Sequence, residues 1–382
     1  MLQTREQAIS DFLSRMADEI SISETMQKKA VSSYEAVGNY LDEGIPCKVS
    51  IMPQGSMNLG TTIRPLTDAD DGYDIDLVCL LEDPNLTLSE IKNTVGKRLK
   101  ESIRYASKID EEGKRCWTLH YDGFHMDILP CVPRYSRFLK PMLTEIKLTH
   151  KVGFMQYIPK YSNPYQYQQW FEERMKSVLA SAREAYARTV RCSVEDVPTY
   201  AVKTPLQKAI QLLKRHRDIF FKEDDTNAPI SIIITTLAAH AYNGEVDLYE
   251  VLRHIIREMP NYIERRDGRY WIPNPTIADE NFAEKWNESG AKATAFYEWL
   301  EQVKTDLIES PLMLSGIHNY RTAFGKCLGE APAGRVAAAY GAQAKAAADA
   351  GTLGILNGSG RLTSNVNANG VNKAERHNFY GQ

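Results

Sequence analysis

PQGSMNLGTTIRP at residues 53–65, followed by YDIDLV at 73–78, is the stretch from which the fold can be read. CKVSIM at 47–52 has the composition of a short strand, and YDIDLVCLL at 73–81 begins with polar and apolar residues in alternation. Side chains two apart on a strand point to the same face, so Asp74 and Asp76 present two carboxylates side by side. A later strand carrying HMDIL at 125–129 adds Asp127 as a third when it pairs nearby.

Three carboxylates held together repel unless cations neutralise them. An all-oxygen donor set suits Mg²⁺, and two such ions roughly 3.5–4 Å apart can clamp the attacking and leaving oxygens of an in-line phosphoryl displacement. Two Mg²⁺ ions are therefore expected, replaceable by Mn²⁺, with Asp74 and Asp76 holding both and Asp127 holding the catalytic one. Gly55 lets the backbone approach a phosphate closely. Ser56 can donate its hydroxyl to a triphosphate, and a helix expected over 57–62 would aim backbone N–H groups at the anion. Alone, an Asp-x-Asp pair or a Gly-Ser dipeptide is commonplace. Gly-Ser, a short gap, Asp-x-Asp in an apolar strand, a longer gap and one more such Asp form a much more specific order.

Outward from this centre, residues 4–43 read as one long amphipathic helix or a broken pair, with Ile9, Phe12, Leu13 and Met16 at helical spacing. A hairpin is expected around Asp122-Gly123, joining strands at 116–121 and 124–132, and a helix over 87–106 with Ser89 as its cap. Helical periodicity then dominates at 165–188, 205–221, 230–242, 248–259 and 280–308, with Pro198 among the prolines that punctuate it. The resulting expectation is α+β. An N-terminal helix (1–43) packs along both lobes, a mixed-sheet lobe covers 44–160, a helical lobe covers 161–329, and 330–382 form a flexible tail. Within that tail, the Ala-rich run from 331 to 354 is compatible with a helix.

The net charge of −3 gives no overall basic field to draw nucleic acid or an anionic membrane. The most apolar stretch, PISIIITTLAAHAY at 229–242, is too short to span a bilayer, and the N-terminus lacks a signal-peptide pattern. A soluble cytoplasmic protein with no membrane partner is expected. Cys47, Cys79, Cys116, Cys131, Cys192 and Cys327 are scattered and read as reduced thiols. His120, His125 and His150 form no metal-ligand spacing, and Trp170, Phe171, Trp271 and Trp286 read as core.

The ordered Gly-Ser and aspartate set resembles the polymerase-β-like nucleotidyltransferase superfamily. TPLQKAIQLLKRHRD at 204–218, PISIIITTLAAHAY at 229–242 and IPNPTIADENFAEKW at 272–286 extend the resemblance, over about residues 40–310, to the bacterial cGAS/DncV-like nucleotidyltransferases, or CD-NTases. That resemblance implies a bilobed fold and a cyclic di- or trinucleotide second messenger made from NTPs, ATP among them, in anti-phage defence. It implies that Lys214 and Ser231 hold the donor triphosphate, whereas Arg217 and Asp218 read as a solvated helix face joined by a salt bridge. It also implies no DNA or RNA activator, since the zinc-binding insertion and basic surfaces of the animal DNA sensor are missing. Some relatives have their C-terminal residue conjugated by a ubiquitin-transfer-like partner. The tail here is compatible with that, although Gln382 follows Gly381. The competing readings are a linear oligoadenylate-type synthase, an enzyme that nucleotidylates macromolecules, and an inactive nucleotide-binding regulator.

Overall fold

The computed structural model describes residues 4–66, 72–135, 144–197, 201–356, 362–363, 366 and 370–374. The chain enters through two helices, not one: α1 (Arg5–Ile20) and α2 (Glu24–Gly44). Ser21 breaks them by turning its hydroxyl onto Ala17 O at 2.6 Å, and Ser23 caps α2 by accepting from Met26 N. The break lets each helix serve one lobe. Ile9, Phe12, Leu13 and Met16 of α1 join the core of the helical lobe. Ala30, Val37 and Leu41 of α2 join that of the sheet lobe.

The sheet lobe runs β1 (Val49–Pro53), the helical turn α3 (Gly55–Asn58), β2 (Tyr73–Leu81), α4 (Leu88–Lys100), the turn α5 (Ile103–Ala106), β3 (Trp117–Tyr121), β4 (Phe124–Pro133), β5 (Ile146–Gly153) and β6 (Gln156–Ser162). Strand order is β1-β2-β4-β5-β6, with β3 also on β4. β2 pairs parallel with residues 124–131 of β4 and fills one edge. The other edge takes β3 over 124–128 and β5 over 131–133. Ile75, Leu77 and Cys79 of β2 face the same core as Met126 and Ile128 of β4, under α2 and α4. α4 starts at the expected place but is capped by Thr87, whose side chain forms a reciprocal box with Glu90, and not by Ser89. The helix expected over 57–62 is instead the single turn at Gly55–Asn58. It stops at Gly60, whose φ of 67° only glycine adopts without strain.

The helical lobe holds α6 (Pro164–Val190), α7 (Pro205–Phe220), α8 (Ser231–Ala241) and α9 (Leu248–Glu258). Short strands β7 (Glu264–Arg266), β8 (Arg269–Trp271), β9 (Pro273–Asn274) and β10 (Ile277–Asn281) follow. The helix expected over 280–308 begins only at α10 (Ala291–Lys304) and continues as a π-helical turn, Thr305–Glu309. After α11 (Ser310–Leu312) and α12 (Ile317–Leu328), the stretch expected to begin a flexible tail forms a 20-residue helix, α13 (Glu330–Asp349). Alanine favours the helix intrinsically, and contacts with α1 fix it. Ala333 and Val336 are buried, Arg335 pairs with Glu19 at 2.5 Å, and Tyr340 stacks on Phe12 and donates to Asp11. The strands β11 (Gly354–Leu356), β12 (Leu362–Thr363) and β13 (Val371–Lys373) form a small sheet beyond it. Pro198, Gly381 and Gln382 lie outside the described residues. Among the described residues no helix is long and apolar enough to cross a membrane.

Candidate active site

The register of the central strands builds the carboxylate cluster. Asp74 lies opposite His125 and Asp76 opposite Asp127 in the parallel β2–β4 ladder. Residues opposite one another share a face, so all three aspartates stand on the side away from the α2–α4 core. Asp127 Oδ1 accepts from Thr118 Oγ1 at 2.5 Å. Burial first, then the nearby Asp127 and Asp74, raise the Asp76 carboxyl to about 6, while Lys214 pulls it back. Asp74 is raised too, by burial and by Asp127, against His125 and Lys214. Both shifts come first from burial and then from repulsion between the carboxylates.

The Gly-Ser turn is tied to the same strand. Gln54 N donates to Asp76 O at 2.8 Å, which seats Gly55 directly beside the second aspartate. Gly55 has φ 59°, and a Cβ there would stand 2.4 Å from Asp76 Oδ2. The Ser56 hydroxyl is 3.2 Å from that of Thr62, and Ser56 O accepts from Thr61 N at 2.9 Å. The turn and the segment after it therefore fold into one unit.

Helix α7 holds this unit through polar groups embedded in an otherwise apolar buried helix. Gln207, Gln211 and Arg215 recur every four residues and lie on one face. Gln207 donates to Leu59 O at 2.9 Å, Gln211 to Thr62 O at 2.7 Å and Arg215 to Arg64 O at 2.6 Å. Lys214, only 5% exposed, donates to Thr61 O at 3.1 Å. Burial, and then Arg217, push its ammonium down to about 8 against the pull of Asp218, Asp76 and Asp74. Ser231 opens α8, and its hydroxyl accepts from Arg217 Nη1 at 3.2 Å.

Gly55, Ser56, Asp74, Asp76, Lys214 and Ser231 line one cleft of about 320 Å³. Asp127 flanks it, across the ladder from Asp76. Arg217 and Asp218 line the cleft as well. The expected salt bridge between them is present at 2.6 Å, but both are partly buried, which corrects the expectation of a solvated face. The reason is that the start of α8 comes beside them: Arg217 reaches Pro229 O at 3.0 Å and Ser231 Oγ at 3.2 Å. Phe171 and Trp286 are core residues.

Among the described residues, the three metal-ligating side chains whose ligand atoms all lie within 4.8 Å are elsewhere: His216, Asp306 and Cys327. Trp299 Nε1–H donates to His216 Nδ1 at 3.2 Å, which leaves the ring proton on Nε2, facing Asp306 Oδ2 at 3.1 Å. A metal on Nε2 would have to displace that proton, so the group is a hydrogen-bonded chain bracing α7 against the π-helical turn.

A Gly-Ser turn against a two-strand aspartate cluster, facing a buried lysine from a helical lobe, defines a polymerase-β-like nucleotidyltransferase. Residues 7–145 match the Second Messenger Oligonucleotide or Dinucleotide Synthetase domain. The chain is 33% identical over 289 residues to a c-di-GMP synthase of Roseivirga ehrenbergii, covering 73% of each protein. It is 29% identical over 316 residues to the cyclic dinucleotide synthase CdnG of Bradyrhizobium diazoefficiens, covering 77% of this chain and 74% of that one. The structure of Bradyrhizobium diazoefficiens CD-NTase CdnG in complex with GTP superposes with a TM-score of 0.70 at 28% identity, covering 87% of this chain and 99% of that chain. Vibrio cholerae DncV cyclic AMP-GMP synthase shares the fold, with a TM-score of 0.55 at 16% identity over 85% of this chain and 86% of that one. The chain belongs to the bacterial CD-NTase family.

Proposed function

We propose that this protein joins two nucleoside triphosphates into a cyclic dinucleotide, with GTP as donor and acceptor. The observation that carries the reading is the single cleft that gathers the Gly-Ser turn, the β2 aspartates, Lys214 and Ser231 from two lobes. The guanine assignment is supported by the name of the 33%-identical relative, a c-di-GMP synthase, and by the GTP bound to CdnG. The product is proposed to act as a second messenger in anti-phage defence, in the cytoplasm.

Asp74, Asp76 and Asp127 suit divalent cations chemically: their oxygens are hard donors, and burial followed by repulsion from its two neighbours raises Asp76 to about 6, a penalty that a bound cation would relieve. Two Mg²⁺ ions held there would polarise the α-phosphate, lower the pKa of the acceptor hydroxyl and stabilise the leaving pyrophosphate. The chain's own groups do the rest. Ser56 donates to the donor triphosphate from a turn locked onto β2. Lys214 places a desolvated charge against it, and Ser231 adds a hydroxyl from α8. Arg217 can leave Asp218 for the phosphates, since both line the cleft. Asp127 accepts the acceptor's proton.

The test is to incubate the protein with each NTP alone and in pairs, treat with phosphatase and identify the products by mass spectrometry. Cyclic di-GMP from GTP alone supports the reading. A mixed or adenine-only cyclic product would overturn the guanine assignment, and linear oligomers or a labelled macromolecule would overturn cyclisation.

A further inference from the structure

Thr118 stands opposite Asp127 in the antiparallel β3–β4 ladder, so its side chain shares the carboxylate face. Its hydroxyl donates to Asp127 Oδ1 at 2.5 Å. A hydroxyl has one proton, and with that proton directed at Asp127 it can only accept from another neighbour. That neighbour is Cys116 Sγ, 3.8 Å away. Cys116 also meets the Asp127 carboxylate directly, so thiol, hydroxyl and carboxylate form one cluster in which Thr118 donates to Asp127. The segment bearing both is anchored from behind. Lys92 Nζ donates to Gly113 O at 3.0 Å and Cys116 O at 2.8 Å, and Trp117 Nε1 donates to Lys92 O at 3.0 Å. Lys92 is fully buried, so this anchor does not depend on mobile surface groups.

We propose that Thr118, oriented by Cys116, is the positioning residue of the third carboxylate. Asp127 sits on a strand from which only its own side-chain torsions fix the carboxylate plane. The hydrogen bond to Oδ1 restricts that freedom and fixes the carboxylate for a cation or an acceptor hydroxyl. The bond is charge-assisted, the stronger class of hydrogen bond. The inference rests on reading the cleft as the site of nucleotidyl transfer.

The test uses the full chain with Thr118→Val, Thr118→Ser, Cys116→Ala and Asp127→Asn. Two quantities are read: steady-state turnover of GTP with Mg²⁺, and Mn²⁺ binding followed by electron paramagnetic resonance with a non-hydrolysable GTP analogue present. Valine keeps the branched shape but withdraws the donor. Thr118→Val is expected to lower kcat roughly ten- to a hundredfold, the range for loss of a hydrogen bond to a charged group. KM for GTP should stay within about twofold, because the triphosphate contacts are untouched. Mn²⁺ affinity should fall about tenfold, as for other groups that orient a ligand. Thr118→Ser restores both readouts, and Cys116→Ala produces a change in the same direction of only a few-fold.

Wild-type turnover and Mn²⁺ binding in a folded Thr118→Val protein would overturn the proposal. So would a Thr118→Ser protein as impaired as the valine variant, since the methyl group would then be the contribution that matters. If the wild-type protein forms no product from any NTP, the proposed function fails, and Mn²⁺ binding by the same variants still decides the role of Thr118.

Discussion

Replacing Gly55 by alanine separates a catalytic defect from a folding defect. The substitution acts twice. Gly55 has φ 59°, a conformation that costs an L-residue roughly 1–2 kcal/mol. The added Cβ would also lie 2.4 Å from Asp76 Oδ2, where ordinary contact begins at 3.4 Å. The turn cannot retreat, because Gln54 N is bonded to Asp76 O on the same strand. Asp76 must therefore rotate its carboxylate aside by about 1 Å, and a misplacement of that size can cost about a hundredfold in rate. Gly123→Ala is the control. Gly123 has φ 86°, but an added Cβ meets nothing within 4 Å, so it carries the backbone cost without the clash. Thermal unfolding and pyrophosphate release measured on both variants should show similar losses of stability. Turnover should fall about a hundredfold for Gly55→Ala and change little for Gly123→Ala. A folded Gly55→Ala protein with turnover near that of the wild type would refute the claim that Asp76 is held in its working position by this turn.

Lys214→Met should raise KM for the NTP by about tenfold or more through loss of a charge-assisted phosphate contact. The fold should survive, because methionine fills a similar volume without a charge to desolvate; initial-rate kinetics with circular dichroism check this. Asp306 gives a pH prediction. Burial raises its carboxyl, but hydrogen bonds from His216 and Gln302 outweigh this and hold it below its usual value. A carboxyl lowered on folding stabilises the protein fully above its unfolded pKa, and that contribution disappears as pH falls through the folded value. Asp306→Asn should therefore flatten the acid limb of the plot of Tm against pH, and an unchanged limb would contradict the assignment.

The aspartate cluster was legible because strand geometry has a fixed period of two: Asp74 and Asp76 can only share a face once YDIDLV is a strand. That Asp127 falls opposite Asp76 was not legible, since a parallel register between distant segments is set by the tertiary core of Ile75, Leu77, Met126 and Ile128. β5 and β6 were not legible because their apolar residues do not follow burial: Val152, Ile158 and Tyr161 are exposed, and Pro159 interrupts the β6 run. The cleft position of Arg217 and Asp218 was not legible because helical spacing alone does not show that the start of α8 comes beside them. Gln207 and Gln211 did leave a signal. Two amides four residues apart inside an apolar helix have to be satisfied when buried, and here the carbonyls of the segment after the Gly-Ser turn satisfy them. The packing of the Ala-rich α13 is not legible in its own sequence, because its anchor is an aromatic cluster with Phe12, more than 300 residues away in the chain.

The most direct test of the central claim is product formation by Asp74→Asn with Asp76→Asn, compared with the wild type under identical Mg²⁺ and labelled GTP. The wild type should yield a phosphatase-resistant cyclic product, and the double variant should yield none while keeping the wild-type circular dichroism spectrum and a comparable Tm. Undiminished product from the double variant would contradict the account, and loss of its fold would show that the carboxylates serve the structure instead of the chemistry.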